Sequence, residues 1–408
     1  MRLKDVAFVN LRTLDESTKG DYKFRYIDIS SVSADNGIIL GDEITFQEAP
    51  SRARRIVKKD DVLVSTVRTY LRAIANIDWD AKDIIASTGF AVYTPNNKII
   101  PRFLAYSIKS TKAINQICSN SKGVSYPAIQ AQVLSSIEIP YWDLKRQEAI
   151  AAYLDKECEK IGRKIELLER KADAYSRLRR SLINRAVTRG LDPNVSLKPS
   201  GNNWIGDIPQ HWGYERVEKY FHNNTSYNKD FQYKHAFKFF KGTIIHKDET
   251  FEEDEYQDTY EKYTIVEPND IIINGLNLNY DLKSMRVGKV TENGIITSAY
   301  IVLRPYNNVC SDFFNYLFKA FDYRKFFHGM GKGIRLTLSF NELRYFEIPV
   351  PPIEEQKEIA AYLDEKCAKI DAILEKINTE VERLKEMKRS LINEVVTGQR
   401  AIDTESHS

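Results

Sequence analysis

The chain has no apolar run near the ~20 residues that a membrane span requires. Its first residues, Met1-Arg2-Leu3-Lys4-Asp5, lack the apolar stretch of a signal peptide, so a cytoplasmic location is expected. Cysteine is scarce: Cys118, Cys158, Cys310 and Cys367 are widely spaced and form no CxxC pair. That spacing argues against a disulfide framework or a zinc knuckle, and the four are expected to be buried thiols. Six scattered histidines give no HExxH or triad pattern. There is no GxxxxGK[ST] phosphate loop, since Gly329-Met-Gly-Lys-Gly333 lacks the spacing and the following Ser or Thr. The Asn/Asp-Pro-Pro-Tyr/Phe motif of amino-methyltransferases is also missing. No catalytic residue, metal site or bound cofactor is therefore expected on this chain.

What is present is length and a mixed surface. The 408 residues are 42% hydrophobic, 11% aromatic and 29% charged, enough for real cores and for two to four units at roughly 100–200 residues each. A net charge of +3 says little about nucleic acid, but its distribution is uneven. Residues 51–72 carry Arg52, Arg54, Arg55, Lys58, Lys59, Arg68 and Arg72 against Asp60 and Asp61, whereas residues 247–258 are dominated by carboxylates.

The strongest pattern is an internal repeat. Gln147-Glu-Ala-Ile-Ala-Ala-Tyr-Leu-Asp155 returns as Gln356-Lys-Glu-Ile-Ala-Ala-Tyr-Leu-Asp364, and Arg180-Ser-Leu-Ile-Asn184 as Arg389-Ser-Leu-Ile-Asn393, both 209 positions on (147 to 356, 180 to 389). The same offset relates Cys158 to Cys367, Thr188 to Thr397, and Ile137-Glu-Ile-Pro140 to Phe346-Glu-Ile-Pro349. Within each copy apolar residues recur at heptad spacing: Ile161, Ile165, Leu168, Tyr175 and Leu182 in the first, and Ile370, Leu374, Ile377, Val381, Leu384 and Leu391 in the second. Two long helices with matching seams are expected to pack on each other, ending near Gly190 and Gly398.

Before each helix lies a segment of one plan. An acidic residue opens an apolar strand (Asp61-Val-Leu-Val-Ser65; Asp270-Ile-Ile-Ile-Asn274). A second strand is expected over residues 85–93 or 295–303, then an aromatic-rich helix over 103–118 or 313–327, then a glycine turn at Lys122-Gly123 or Lys332-Gly333. The expected fold is α+β: homologous modules at 1–140 and 214–349, long helices at 141–190 and 350–398, a Pro- and Gly-rich linker at 191–213, and a tail at 399–408. Antiparallel helices would relate the modules by a pseudo-two-fold axis, which suits a DNA duplex. Dissimilar modules on one frame then imply an asymmetric, split target, its gap bounded at about eighteen base pairs by a rod of roughly 60 Å.

Base readout needs forked donors and acceptors, as in Arg to guanine or Asn and Gln to adenine, while Lys, Ser and Thr commonly hold phosphate. In the first module the candidates are Arg54, Arg55, Arg68, Arg72, Ser87, Thr88, Lys122 and Tyr126. In the second they are Asn274, Asn277, Asn279, Lys283, Arg286, Thr297, Ser298, Lys332 and Arg335. Phe237-Lys-Phe-Phe240 with Lys241 suits base stacking less well than core packing, and the acidic run 252–258 reads as a solvated face.

Taken together, the paired modules, the Ile-Pro entry, the two repeated helices and the lead Trp204-Ile-Gly-Asp-Ile-Pro-Gln-His-Trp212 resemble the specificity subunit of type I restriction–modification systems over essentially the whole chain. The first module departs from that pattern by starting directly at Arg2-Leu-Lys-Asp5. The resemblance implies two target-recognition domains on double-stranded DNA. It also implies docking of two methyltransferase subunits and of endonuclease/translocase subunits, with S-adenosylmethionine, ATP and Mg on those partners. The rivals are a coiled-coil scaffold without nucleic acid and a self-contained restriction–modification enzyme.

Overall fold

A computed structural model describes residues 1–33, 37–240, 242–247, 256–280, 285–306 and 308–402. The chain divides into two compact units, one built from Met1–Lys171 with the chain from Lys376 onward, the other from Ala172–Glu375. Each long helix, Leu144–Arg189 and Ile353–Thr397, therefore contributes one part to each unit.

The first unit has two four-stranded sheets. One runs Ala7–Val9, Phe90–Pro95, Val62–Ser65, Ile74–Asn76, with every neighbour antiparallel. The other runs Glu43–Thr45, Lys23–Ile27, Ile84–Ser87, Ala53–Ile56, with Lys23–Ile27 and Ile84–Ser87 parallel. The second unit repeats the first sheet: Phe221–Asn223, Ile301–Pro305, Ile271–Ile273, Val287–Lys289, again antiparallel. The apolar runs explain the central strands, because Ile271, Ile272 and Ile273 are wholly buried, each stabilising the fold by about 1.5–3 kcal/mol.

The acidic residue before each central strand is buried and paired. Arg12 Nη2 donates to Asp61 Oδ1 and Oδ2 at 2.7 and 2.5 Å, and Thr94 Oγ1 donates to Asp61 Oδ1 at 2.7 Å. In the second unit Arg304 Nε and Nη2 donate to Asp270 Oδ1 and Oδ2 at 2.9 and 2.8 Å. The sheet register makes Thr94 and Arg304 equivalent, each one residue beyond the partner (Tyr93 or Leu303) of the first residue of the central strand.

A repeated glutamine ties each helix start to its module. Gln147 Oε1 accepts from Ile100 N at 2.8 Å, while its Nε2 donates to Lys98 O and Trp142 O at 3.1 and 2.7 Å. Gln356 Oε1 accepts from Cys310 N at 3.1 Å and its Nε2 donates to Pro351 O at 2.9 Å. Ile100 and Cys310 are the N-cap residues of the module helices, so these bonds satisfy amides at helix starts that carry no side-chain cap of their own. Six residues on from each N-cap, Tyr106 and Tyr316 donate to Asp155 and Asp364 at 2.8 and 2.7 Å. Burial pushes both phenols well above their ordinary range.

Within each unit the helix segments run antiparallel. In the first, Trp142 Nε1 donates to Val396 O at 2.8 Å and Lys164 pairs with Glu380 at 3.0 Å, so rising numbers on one segment meet falling numbers on the other. In the second, Arg179 pairs with Asp371 at 3.1 Å, and Ile183, Ala186 and Val187 share a core with Ile359, Leu363 and Cys367. Of the heptad residues, Ile161, Ile165, Ile377, Val381, Leu384 and Leu391 are buried in the first unit and Ile370 in the second. Leu168, Tyr175, Leu182 and Leu374 are half-buried.

Four sequence expectations are corrected. The run 85–93 is two strands in different sheets, parted at Thr88-Gly89, where Thr66 N and Oγ1 both donate to Gly89 O at 2.8 Å. The run 295–303 divides likewise into Gly294–Ile296 and Ile301–Pro305. The helix over 103–118 is Pro101–Ile108 followed by Thr111–Ser119, broken at the N-cap Ser110; the helix over 313–327 stops at Tyr323, with Lys325 in the left-handed region. The linker, expected as a connection between helix and module, is also packed: Leu197–Pro199 pairs with Asp207–Pro209, and Ile205, Ile208 and Trp212 enter the second unit's core. Cys158 and Cys367 are buried, but Cys118 is exposed and Cys310 half-buried.

Candidate nucleic-acid interface

In each unit the central strand runs straight into a loop that is stitched to the Lys-Gly turn. In the first unit this is the loop after Val62–Ser65. Ile129 N donates to Thr66 O at 2.8 Å, Arg68 N to Pro127 O at 2.8 Å, and the Thr69 and Ser121 hydroxyls lie 2.8 Å apart. The turn closes on itself through the reciprocal backbone bonds of Lys122 and Ala128, at 2.8 and 2.9 Å. In the second unit, after Ile271–Ile273, Leu338 N donates to Gly275 O at 2.9 Å and Leu278 N to Leu336 O at 3.0 Å, while Lys332 and Thr337 exchange backbone bonds at 3.0 and 2.9 Å. Gly275 is required by this contact, since a Cβ there would sit 2.3 Å from Leu338 O.

The loops hold strained backbone. Arg68 and Arg72 in the first unit and Leu336 in the second have φ of 49°, 53° and 42°, a left-handed conformation that side chains other than Asn and Asp adopt at a cost of order 1 kcal/mol, while Asn277 at 51° adopts it readily. The interloop hydrogen bonds hold it in place and fix where the side chains stand. Arg68 is exposed, with its guanidinium 4.8 Å from the ring centre of the exposed Tyr126. Asn277 and Asn279 are exposed, and Asn279 Nδ2 donates to Ile334 O at 3.1 Å.

The loop pairs thus gather Arg68, Arg72, Lys122 and Tyr126 in one unit, and Asn274, Asn277, Asn279, Lys332 and Arg335 in the other. Lys332 also pairs with Glu342 at 3.3 Å, and Asn274 Oδ1 accepts from Leu276 N at 3.1 Å. Arg72 further lines a cavity of about 1040 Å³ in the first unit, together with Tyr70, Arg163, Lys385, Lys388 and Arg389. Thr88 is exposed beside the loop, on the turn bound by Thr66.

Other sequence candidates are placed elsewhere. Arg54 and Arg55 lie half-buried on the Ala53–Ile56 strand, Arg54 over the Phe46 ring at 4.9 Å and Arg55 donating to Thr13 at 3.3 Å. Burial holds the Arg55 guanidinium below its ordinary pKa. Thr297 and Ser298 follow the Gly294–Ile296 strand. Two candidates are corrected as outward-facing groups. Ser87 is wholly buried, its Oγ accepting from Gly89 N at 3.2 Å. Arg286 is 2% exposed and donates to the carbonyls of Leu276, Asn274 and Asn277 at 2.7, 3.1 and 3.4 Å, so it holds the loop from below. Lys283, Lys241 and most of the acidic run 252–258 lie outside the described residues. Phe237 and Phe239 pack in a core, as expected of that run.

Sequence reasoning missed Val124 and Ile334, which stand at the two turns and are almost fully exposed. The shared triplets Lys122-Gly123-Val124 and Lys332-Gly333-Ile334 were the available signal.

The sequence profile of the type I restriction modification DNA specificity domain matches residues 1–171 and again 206–383. The chain belongs to that family. As members of it, these paired modules form a specificity subunit, not a catalytic one. Among relatives, the chain is 23% identical over 379 residues to the putative type I restriction enzyme MjaX specificity subunit of Methanocaldococcus jannaschii, covering 88% of this chain and 82% of that one. It is also 23% identical over 337 residues to the MjaVIII specificity subunit of the same organism, covering 78% and 74%. A chain from a structure describing assembly and conformational transition of a type I R-M system superposes with TM-score 0.69 at 20% identity, covering 98% of this chain and 97% of that one. That likeness places the family's fold on this sequence. Among the described residues, no helix is long and apolar enough to cross a membrane.

Proposed function

We propose that this subunit reads an asymmetric, two-part duplex target, one part per unit, and presents it in the cytoplasm to docked methyltransferase and endonuclease/translocase subunits. Those partners would carry S-adenosylmethionine, ATP and Mg, and this chain would supply sequence selection. The observation that carries the reading is the pair of equivalent loop frames with unlike chemistry: Arg68, Arg72 and Tyr126 in one, Asn277, Asn279 and Arg335 in the other. Arginine suits guanine and asparagine suits adenine, so the two halves of the target are expected to differ in base composition. The test replaces one module by that of a relative and maps methylation in cells that supply the partner subunits. The expected result is a split motif with one half changed and the other retained. An unchanged motif favours a scaffold that does not read DNA, and methyl transfer or strand cleavage by this chain alone contradicts the division of labour.

A further inference from the structure

Val124 and Ile334 are 101% and 94% exposed, the highest values for any large hydrophobic side chain among the described residues. They occupy equivalent places, each following a glycine of positive φ (Gly123 at 107°, Gly333 at 77°) at the outer end of a turn closed by the Lys122–Ala128 or Lys332–Thr337 bridge. Scattered exposed aliphatics are ordinary. Two modules whose other loops diverge, yet which both lift a stiff β-branched side chain clear of the surface, are not explained by packing. Around each tip stand cations and aromatic rings: Lys122, Arg68 and Tyr126 near Val124, and Lys332, Arg335 and the 74% exposed Tyr280 in the loops around Ile334. Cations next to the tip suit phosphate; an aliphatic group gains nothing from phosphate or water.

We propose that Val124 and Ile334 are the apolar contact residues of the two modules, each seated on a hydrophobic base surface in its half of the DNA target while the flanking cations hold the backbone. On a duplex that surface is either the C5 methyl of thymine in the major groove or a base face opened by partial unstacking. The inference rests on the DNA-reading function proposed above and assigns it two specificity-determining residues.

The full chain first selects its preferred duplex from a random-sequence pool. Dissociation constants then follow on that duplex and on a scrambled one for wild type, V124S, I334S and the conservative V124I and I334V. Both serine variants are expected to weaken binding to the selected duplex about tenfold, with affinity for scrambled DNA, salt dependence and melting temperature unchanged, and the conservative variants within about twofold of wild type. Two arms separate the sources. Uracil in place of thymine weakens wild type but not the serine variant if the methyl is the partner. A 2-aminopurine reporter brightens with wild type but not with the serine variant if a base face is opened. Serine variants that match wild type on the selected duplex overturn the assignment, as does weakening with neither arm responding. If wild type selects no duplex, the DNA-reading function falls and this inference with it.

Discussion

The two units solve one structural problem from different places in the chain. Both bury an aspartate ahead of the central strand, but Asp270 is neutralised by Arg304 on the neighbouring strand, whereas Asp61 is neutralised by Arg12, with Thr94 standing where Arg304 would be. The repeated glutamines, in contrast, do the same work from the same register. The difference teaches that the helices and their docking bonds hold the frame constant, while the modules keep a physical requirement and let the residue that meets it wander. On the function proposed above, that freedom falls in the parts of the chain that would read bases.

The largest effect should come from breaking the buried pair. Asp61→Ala leaves the Lys58 amide without its acceptor and Arg12 with Thr94 alone, and Asp270→Ala leaves the Glu267 amide without its acceptor and Arg304 with the Glu267 carboxylate alone; each is expected to destabilise its own unit by about 3 kcal/mol. Unfolding curves combined with hydrogen exchange resolved by segment would locate the loss. The sharper form is a transplant. Arg12→Met alone should cost nearly as much, and adding Thr94→Arg should restore stability to within about 1 kcal/mol. No recovery would show that the register equivalence of Thr94 and Arg304 is not a functional one.

A smaller loss is expected at the shared glutamines. Gln147→Ala removes three hydrogen bonds and Gln356→Ala two, so the first should cost about 2 kcal/mol and the second somewhat less. Faster exchange of the Ile100 and Cys310 amides is the diagnostic. Equal protection in wild type and variants would mean that the helices are docked by apolar contact alone.

The smallest effect concerns a charge carried by the second unit's aromatic helix itself. Burial, with Arg179 nearby, pulls the Lys319 ammonium down to about 8. The unfolded chain then binds more protons than the folded one between about pH 8 and the ordinary lysine range, so stability rises with pH across that window. Lys319→Met should remove this rise and stabilise the unit at pH 7 by something on the order of 1 kcal/mol. Thermal midpoints from pH 7 to 9.5 would reveal a pH slope that survives the substitution, which would exclude Lys319 as its source.

Much of this frame was legible because it is written locally. Heptad residues such as Ile161 and Ile377 repeat at short range, and Asp61 and Asp270 each announce an apolar strand. What escaped depends on partners far along the chain. The break at Thr88-Gly89 is made by Thr66, the placement of Arg286 by Asp322, which accepts from its backbone amide, and the packing of Trp212 by a core assembled from both long helices. Prolines and glycines around residue 200 read only as a connection because nothing nearby reveals that core. The exposure of Val124 and Ile334 is set by the turns that carry them and by the loops that those turns meet.

The first unit begins with Met1 and is completed only by chain from Lys376 onward. A frameshift or stop codon near residue 375 would spare every strand of that unit and yet strip away Leu391, Val395 and Val396, with the Trp142 and Asn393 bonds that hold its helix. During synthesis this unit must wait for the helix from Lys376 to Thr397 to leave the ribosome, although its own sheets are finished long before.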